Sequence, residues 1–167
     1  MHSIVASTTL FIKQSFASAG KAVASKAIPS GNTGVTNKPA VISTWKHGLA
    51  ANEAAWKVLS AKGTALDAAE QGVMVSESDP NVTSVGYGGM PDRDGKVTLD
   101  ACIMDERGNC GSVAFLQNIK NPVAVARQVM ERTPHIMLVG EGALQFATAI
   151  GFKEENLLTE NARQRWV

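Results

Sequence analysis

A glycine-rich turn that leads into an alternating segment constrains the fold of this chain more than any other feature. Gly86, Gly88 and Gly89 fall within four positions, shortly after Ser84. Glycine lets the backbone adopt positive φ and pass close to another segment, which a side chain would prevent. The turn leads into residues 97–104, where apolar and polar residues alternate as in a strand. The pattern predicts a closely packed turn that enters a β-hairpin.

The same glycines do not form a dinucleotide-binding fingerprint. The motif G-x-G-x-x-G requires a third glycine where this chain has Pro91, and a helix has to begin there. A strand pattern follows instead, so we set phosphate binding aside. Two interpretations remain: a plain connection into the hairpin, or a turn that shapes a ligand site.

Charge is unevenly distributed along the 167 residues. Residues 1–50 contain five lysines and no Asp or Glu, whereas the other 117 residues contain 11 basic and 15 acidic residues, a net charge of −4. Residues 1–36 are also rich in Ala and Ser, which is typical of a targeting leader and linker. We predict that residues 1–36 are a disordered leader and that residues 37–167 form the folded part.

The predicted leader does not identify the cellular compartment of the protein. Residues 7–13 are similar to a twin-arginine export motif in which threonines replace both arginines, so export to a bacterial periplasm and a cytoplasmic location both stay open. No apolar run reaches the roughly 18 residues of a membrane span. The net charge of +1 does not favour nucleic acid. We therefore predict neither a membrane nor a nucleic acid as partner.

The periodicity of the folded part predicts an α/β domain. Thr64 and Asp67 stand in capping-box positions, and Asn121 before Pro122 is typical of a helix start. Asp100 interrupts its strand, and we predict that it hydrogen-bonds the glycine turn, with a catalytic role as the alternative. The predicted elements are a buried strand at 40–44, helices at 52–62 and from 64 onward, a hairpin of 97–104 and 111–116, a helix at 122–132, a strand at 135–139, a helix at 143–150 and a last helix after 159.

Few residues suggest chemistry directly. Cys102 and Cys110 flank the hairpin turn without facing each other, which predicts free thiols. The three histidines are far apart in sequence, so we predict no metal and no cofactor. Trp45 follows the predicted strand at 40–44, where it is either core or ligand-facing. The chain contains no Ser-His-Asp order and no glycosidase carboxylate pair, so its chemistry alone does not identify a reaction.

Eight sequence blocks in consistent order resemble the α-subunit of the glycosylasparaginase family of N-terminal nucleophile hydrolases. Together they cover about residues 37–160. The blocks are STW at 43–45, ANEAAW at 51–56, ALDA at 65–68, SVGYGGMPD at 84–92, TLDACIMD at 98–105, IKNP at 119–122, VAR at 125–127 and TPHIMLVG at 133–140.

This resemblance implies a four-layer αββα sandwich, of which residues 37–167 are an incomplete α-subunit. The family implies a precursor that cuts itself before a threonine. The freed threonine then hydrolyses the amide of N4-(β-N-acetylglucosaminyl)-L-asparagine. The implied partners are this small glycosylated substrate and a β-subunit that carries the threonine, in a heterotetramer of two α and two β subunits.

The resemblance also implies roles for individual residues. Trp45 matches the tryptophan that lines the substrate pocket, and Ser84 matches the serine that binds near the nucleophile. Gly86, Gly88 and Gly89 would let the turn approach the catalytic centre. His47 departs from the family, which usually has an aromatic hydrocarbon ring there. No His-Asp-Thr sequence occurs in the 167 residues, so the predicted nucleophile lies beyond Val167 and this chain contains no catalytic residue.

Two alternatives to a glycosylasparaginase remain at this stage. The first is the related isoaspartyl peptidase and L-asparaginase branch, because the residues that choose the substrate lie outside this chain. The second is an inactive, truncated homologue that acts only as a folding or binding partner. By itself, the chain is predicted not to hydrolyse an amide.

Overall fold

A computed structural model describes residues 38–166, and the predicted leader at 1–36 lies outside the described residues. Five helices and three strands make up this part. None of these helices is long and apolar enough to cross a membrane. In chain order they are α1 (Gly48–Ser60), α2 (Ala65–Ser78), β1 (Leu99–Met104), β2 (Cys110–Leu116), α3 (Pro122–Arg132), β3 (Met137–Val139), α4 (Gly140–Ala149) and α5 (Glu160–Trp166).

The three strands form one mixed sheet in the order β1-β2-β3. β1 and β2 pair antiparallel as the predicted hairpin, and β3 pairs parallel to β2. Helix α3 supplies the long crossover that a parallel pair requires. The mixed α/β class predicted from the sequence is confirmed, with strand ends that shift by one or two residues.

The main core lies between one face of this sheet and helices α3 and α4. Because side chains alternate along a strand, β1 buries Leu99 and Ile103 while Asp100 and Met104 face outward. The fully or nearly buried members of the core are Ile103, Val113, Leu116, Ile119, Val123, Val125, Ala126, Val129, Ala143 and Ala147. This single layer of helices covers only one side of the sheet.

Helices α1 and α2 form a hairpin; α1 begins at Gly48, four residues before the predicted start, and α2 begins at the predicted capping box. The Thr64 hydroxyl accepts from the Asp67 N–H (3.1 Å), and the Asp67 carboxylate reaches back to Thr64, so the capping box is confirmed. Arg127 of α3 contacts the carboxylates of Asp67 and Glu70, each at 2.7 Å. These ion pairs attach α2 to α3 and so to the sheet.

The predicted strand at 40–44 is wrong. Residues 40–43 make no ladder with the described sheet, and the Ile42 side chain is 89% exposed. The apolar, β-branched pattern favours a strand, but a strand also needs a neighbour to satisfy its backbone groups. Within residues 38–166 no strand pairs with this segment.

The predicted cap of α3 is also corrected. Asn121 precedes Pro122 as expected, but its side chain makes no capping bond to the helix. Instead, the carboxylate of Glu77 accepts the Val123 N–H (3.1 Å), and the Asn121 amide donates to the Ser78 hydroxyl (3.0 Å). A side chain from α2 therefore satisfies the first turn of α3.

Candidate functional site

The segment before α1 presents an exposed tryptophan at the surface. The Gly48 N–H donates to the Trp45 carbonyl oxygen (2.9 Å), which closes a tight turn into the helix. The Ser43 hydroxyl also donates to the Asn52 side chain on α1. With the backbone held on both sides, the Trp45 side chain remains 73% exposed. Of the two alternatives stated for Trp45, burial in the core is therefore excluded within the described residues.

His47 stands beside Trp45 and joins it to α2. The two rings are offset-stacked, with centroids 6.4 Å apart and planes inclined by 12°. His47 Nδ1 lies 2.9 Å from the hydroxyl of Ser76, a nearly buried residue in the last turn of α2. The hydrogen bond and the stack together fix the orientation of the imidazole.

The glycine turn packs against the end of the same helix. Gly86 has a φ of +57°, and a Cβ there would overlap the Glu77 carbonyl oxygen. The Tyr87 N–H donates to that oxygen (2.7 Å), and the Gly88 N–H donates to the Leu157 carbonyl oxygen (2.8 Å). Only glycine permits this approach at position 86. The prediction of a closely packed turn is confirmed, and its neighbour is the C-terminal end of α2.

A cavity of about 360 Å³ lies between the tryptophan segment, the end of α2 and the edge strand β1. Its wall combines aromatic rings, two carboxyl groups and a thiol, which is the mixed lining expected of a small-molecule site. The lining residues that bear on function are Trp45, His47, Glu77, Val85, Asp100 and Cys102.

A second cavity, of about 300 Å³, lies between residues 40–43 and the α1–α2 hairpin. Alanines, one glycine and aliphatic side chains make up most of its wall, and Ser43 and Asn52, its polar side chains, hydrogen-bond each other. It therefore offers little chemistry for binding a polar substrate. The cavity beside Trp45 is the better candidate site.

Glu77 is the most perturbed carboxyl group of the site. Its side chain is only 3% exposed, and burial raises its pKa to about 7, although hydrogen bonds from Val123 and Asn121 act in the opposite direction. A buried carboxylate without a positive partner is costly, so a proton is held up to near neutral pH. Glu77 can thus gain or lose a proton close to the cavity in the neutral range.

Asp100 has a different partner from the one predicted. Its carboxylate accepts the Phe115 N–H (2.8 Å), and Phe115 has a φ of +53° where the β1–β2 register shifts. The side chain therefore stabilises an irregularity in the neighbouring strand. The prediction that Asp100 hydrogen-bonds the glycine turn is wrong.

The two cysteines are free, as predicted. Cys102 pairs with Ser112 and Cys110 pairs with Met104 across the hairpin, so the thiols do not face each other. Within residues 38–166, no three His, Cys, Asp or Glu side chains converge in the way metal ligands do.

The structure brings only some of the predicted site residues together. Trp45 shares its cavity with Val85, the residue that follows Ser84. Ser84 itself is exposed and does not line the cavity, and the buried glycines at 86, 88 and 89 lie outside the lining as well. Roles for Ser84 and the three glycines stay predictions.

Sequence reasoning missed Glu77 and the contact between His47 and Ser76. Glu77 follows Met74 by three residues, a spacing that places both on one side of α2. That spacing could have indicated burial, but it could not identify Val123 as the partner. The His47–Ser76 contact joins residues 29 positions apart and left no local signal.

Comparison with known proteins gives a consistent picture. A sequence model of the family described as Asparaginase matches residues 27–167. An N(4)-(β-N-acetylglucosaminyl)-L-asparaginase of Elizabethkingia miricola is 66% identical over 131 residues, which are 78% of this chain and 38% of that protein. The Mus musculus protein of the same name is 46% identical over 126 residues, 75% of this chain and 36% of its own length.

A plant-type L-asparaginase of Pyrococcus abyssi (strain GE5 / Orsay) is also similar. It is 47% identical over 116 residues, which are 68% of this chain and 37% of that protein. The chain thus spans a little over a third of the length of each of these three relatives.

Proposed function

The chain belongs to the asparaginase family, and from this premise we propose that it is part of an amidohydrolase that cleaves N4-(β-N-acetylglucosaminyl)-L-asparagine. The observation that carries the proposal is the 66% identity over 131 residues to the Elizabethkingia protein of that name. Trp45 lies in one of the sequence blocks that resemble the family, and its exposed ring lines the cavity.

In this proposal the described residues provide the wall of the pocket and not the reacting group. An unactivated amide resists attack, so the reaction needs an activated hydroxyl and donors for the developing oxyanion. The matched part is 38% of the Elizabethkingia relative, which leaves ample sequence for both. We assign the nucleophile to a threonine outside these 167 residues, with its own freed amine as base.

The proposed reaction proceeds in two steps. The threonine oxygen attacks the side-chain amide carbon, the C–N bond breaks, and the glycosylamine leaves with the proton that the threonine gave up. Water then attacks the aspartyl ester, which releases aspartate and restores the hydroxyl. No step requires a metal or a redox cofactor.

The sheet supports a larger assembly, the four-layer αββα sandwich. Helices α3 and α4 cover one face, whereas the other face carries large exposed side chains, among them Met104 (61%), Met137 (52%) and Val139 (55%). An exposed apolar patch of this kind is typical of an interface. We propose that a second sheet, from a β-part carrying the threonine, packs on this face, and that two such α and β parts form the heterotetramer.

Trp45 has a specific role in this scheme. A large, rigid, exposed ring on a fixed backbone gives a flat surface for packing against a substrate at small entropic cost. We propose that Trp45 contacts the substrate and that Ser84, one residue from the cavity, hydrogen-bonds near the nucleophile. Gly86, Gly88 and Gly89 hold the turn that carries Ser84.

The similarity to the Pyrococcus protein favours one alternative, L-asparaginase activity on an unglycosylated amide. The two functions differ in the group bonded to the amide nitrogen, a sugar or hydrogen. A direct comparison of substrates therefore separates them.

The decisive experiment uses the full-length protein encoded by the reading frame that contains this chain. We expect His-Asp-Thr downstream of Val167, self-cleavage before that threonine, and turnover of the glycosylated asparagine above that of L-asparagine. Preferential turnover of L-asparagine would favour the alternative. A reading frame that lacks the threonine, with no turnover of either amide, would indicate an inactive homologue.

Trp45→Ala in that protein tests the pocket assignment. We expect kcat/KM to fall at least tenfold, with little change in the unfolding midpoint, because the ring is exposed and its loss leaves no core cavity. Trp56→Ala is the matched control, since Trp56 lies on α1 outside the cavity lining. A loss of stability with unchanged kcat/KM per folded molecule would contradict the role.

A further inference from the structure

The position of His47 carries an inference about substrate recognition. Its ring lines the cavity beside Trp45, yet its orientation is set by a residue of α2. The offset stack on Trp45 (6.4 Å between centroids) and the 2.9 Å contact of Nδ1 with the Ser76 hydroxyl restrain it from two directions. A side chain restrained in this way loses little further entropy on binding a ligand.

The contact with Ser76 leaves the other ring nitrogen for a ligand. A neutral imidazole has one donor and one acceptor nitrogen, and Nδ1 is engaged by a hydroxyl that can take either role. Among residues 38–166, Nε2 of His47 has no hydrogen-bond partner. The complementary group is one that can both donate and accept, because it then suits either tautomer.

The two carboxyl groups of the cavity are already engaged by the protein. Glu77 binds Val123 and Asn121, and Asp100 binds Phe115. The stacked rings of Trp45 and His47 add an aromatic surface that is open to solvent on the tryptophan side. A flat aromatic wall with one oriented nitrogen suits a sugar ring, which presents an apolar face and hydroxyl or acetamido groups at its edge.

We propose that His47 is a specificity-determining residue that hydrogen-bonds the sugar part of the substrate through Nε2, while Ser76 acts as the positioning residue for its ring. This inference rests on the proposed amidohydrolase function and adds a source for its preference for a glycosylated amide. A site that hydrogen-bonds a substrate group discriminates against an analogue that lacks the group, because its own polar atom is then left unpaired.

The test compares two substrates in the full-length protein. The measured quantity is the ratio of kcat/KM for N4-(β-N-acetylglucosaminyl)-L-asparagine to kcat/KM for L-asparagine. In His47→Phe, which keeps a ring of similar shape but no nitrogen, we expect the ratio to fall at least fivefold. In Ser76→Ala it should fall two- to threefold, because the imidazole keeps its nitrogen but loses its anchor.

The control is His135→Phe, which replaces an exposed histidine outside the cavity lining and should leave the ratio unchanged. Unfolding midpoints of all variants establish that they are folded. A ratio in His47→Phe within twofold of the unsubstituted protein would overturn the inference, even where both amides are hydrolysed well.

A binding measurement tests the contact between His47 and the sugar independently of the proposed reaction. If the unsubstituted protein hydrolyses neither amide, the reaction proposal fails, and the His47 ring signals are then followed by NMR during titration with N-acetylglucosamine. The His47 signals are assigned as those missing from the spectrum of His47→Phe, and shifts of those signals that saturate would still support sugar contact. Unshifted signals would refute it.

Discussion

The two faces of the sheet differ in how far the described residues bury their apolar side chains. On the covered face, Val113 and Leu116 are at most 1% exposed beneath α3 and α4. On the opposite face, Met104 of β1 and Met137 and Val139 of β3 are all more than half exposed, although they belong to the same sheet. Helices of this chain therefore cover one face, whereas the other face exposes apolar side chains of the kind found at interfaces. The candidate site lies along β1, at the edge of the exposed face.

The largest expected effect is on the covered face, at Gly111. A Cβ there would overlap the Ala126 carbonyl oxygen and lie 2.6 Å from the Met130 nitrogen, and backbone atoms cannot rotate away. We expect Gly111→Ala to lower the free energy of unfolding by about 4 kcal/mol or more, measured by urea denaturation.

Gly108→Ala in the turn of the same hairpin is the control for that substitution. Gly108 has a φ of +84° but no atom within 4 Å of an added Cβ. Only the backbone conformation is then unfavourable, at about 1–2 kcal/mol. Equal losses for the two variants would mean that close packing on the covered face is not the cause.

Truncation of one side chain on each face compares the faces directly. We expect Leu116→Ala, on the covered face, to cost about 3 kcal/mol through lost burial and a residual cavity. Met104→Ala, on the open face, should cost less than about 1 kcal/mol, because its side chain is 61% exposed. A comparable loss for Met104→Ala would show that the open face is buried in the purified protein, and light scattering would then identify association.

The buried carboxyl group of Glu77, beside the candidate site, predicts that stability depends on pH. Its pKa is about 7 in the folded state and about 4.5 when unfolded, so the folded state holds the proton more tightly. The contribution of this tighter proton binding to the free energy of unfolding is fully present below about pH 4.5 and is lost as the pH rises through 7. The shift corresponds to about 3 kcal/mol at most.

Glu77→Gln removes this titration. The unfolding free energy of the variant relative to the unsubstituted protein should therefore rise between pH 5 and pH 8, by up to about 3 kcal/mol. Glu53→Gln, at an exposed carboxyl on α1, is the control. A constant difference across that range would show that Glu77 is already ionised at pH 5.

The smallest effect on stability is expected for Met137→Lys on the open face. An exposed substitution should change the free energy of unfolding by less than about 0.5 kcal/mol. The same change should prevent assembly with the proposed β-part, because a charge would be buried without a partner. Val75→Lys on α2 is the matched control, and co-purification is the readout. Intact assembly of Met137→Lys would place the interface elsewhere.

Local patterns predicted much of the fold because local interactions decide those features. Three features are examples: the alternation in β1, the turn at 105–109 and the Thr64–Asp67 capping box. Each of them involves residues that are only a few positions apart in the sequence. The family resemblance read from the sequence blocks is also confirmed, by the match to residues 27–167 and by the similar relatives.

The errors share a different cause. The strand predicted at 40–44 required a neighbouring strand, and the cap predicted for Asn121 was replaced by Glu77, 46 residues from its partner Val123. Asp100 likewise binds Phe115 across the hairpin and not the glycine turn. Asp100 and the first turn of α3 hydrogen-bond with groups that are distant in the sequence. The segment at 40–44 lacks the neighbouring strand that its composition suggests.

The sequence alone determined the family, the α/β class, the glycine turn and the presence of a tryptophan at position 45, because each follows from residue identity and short-range spacing. Only the tertiary structure decided which side of the sheet is covered, that His47 is held by Ser76, and that Glu77 is buried with a raised pKa. Those properties depend on which distant groups exclude water or supply a hydrogen bond, and that is settled only when the elements pack.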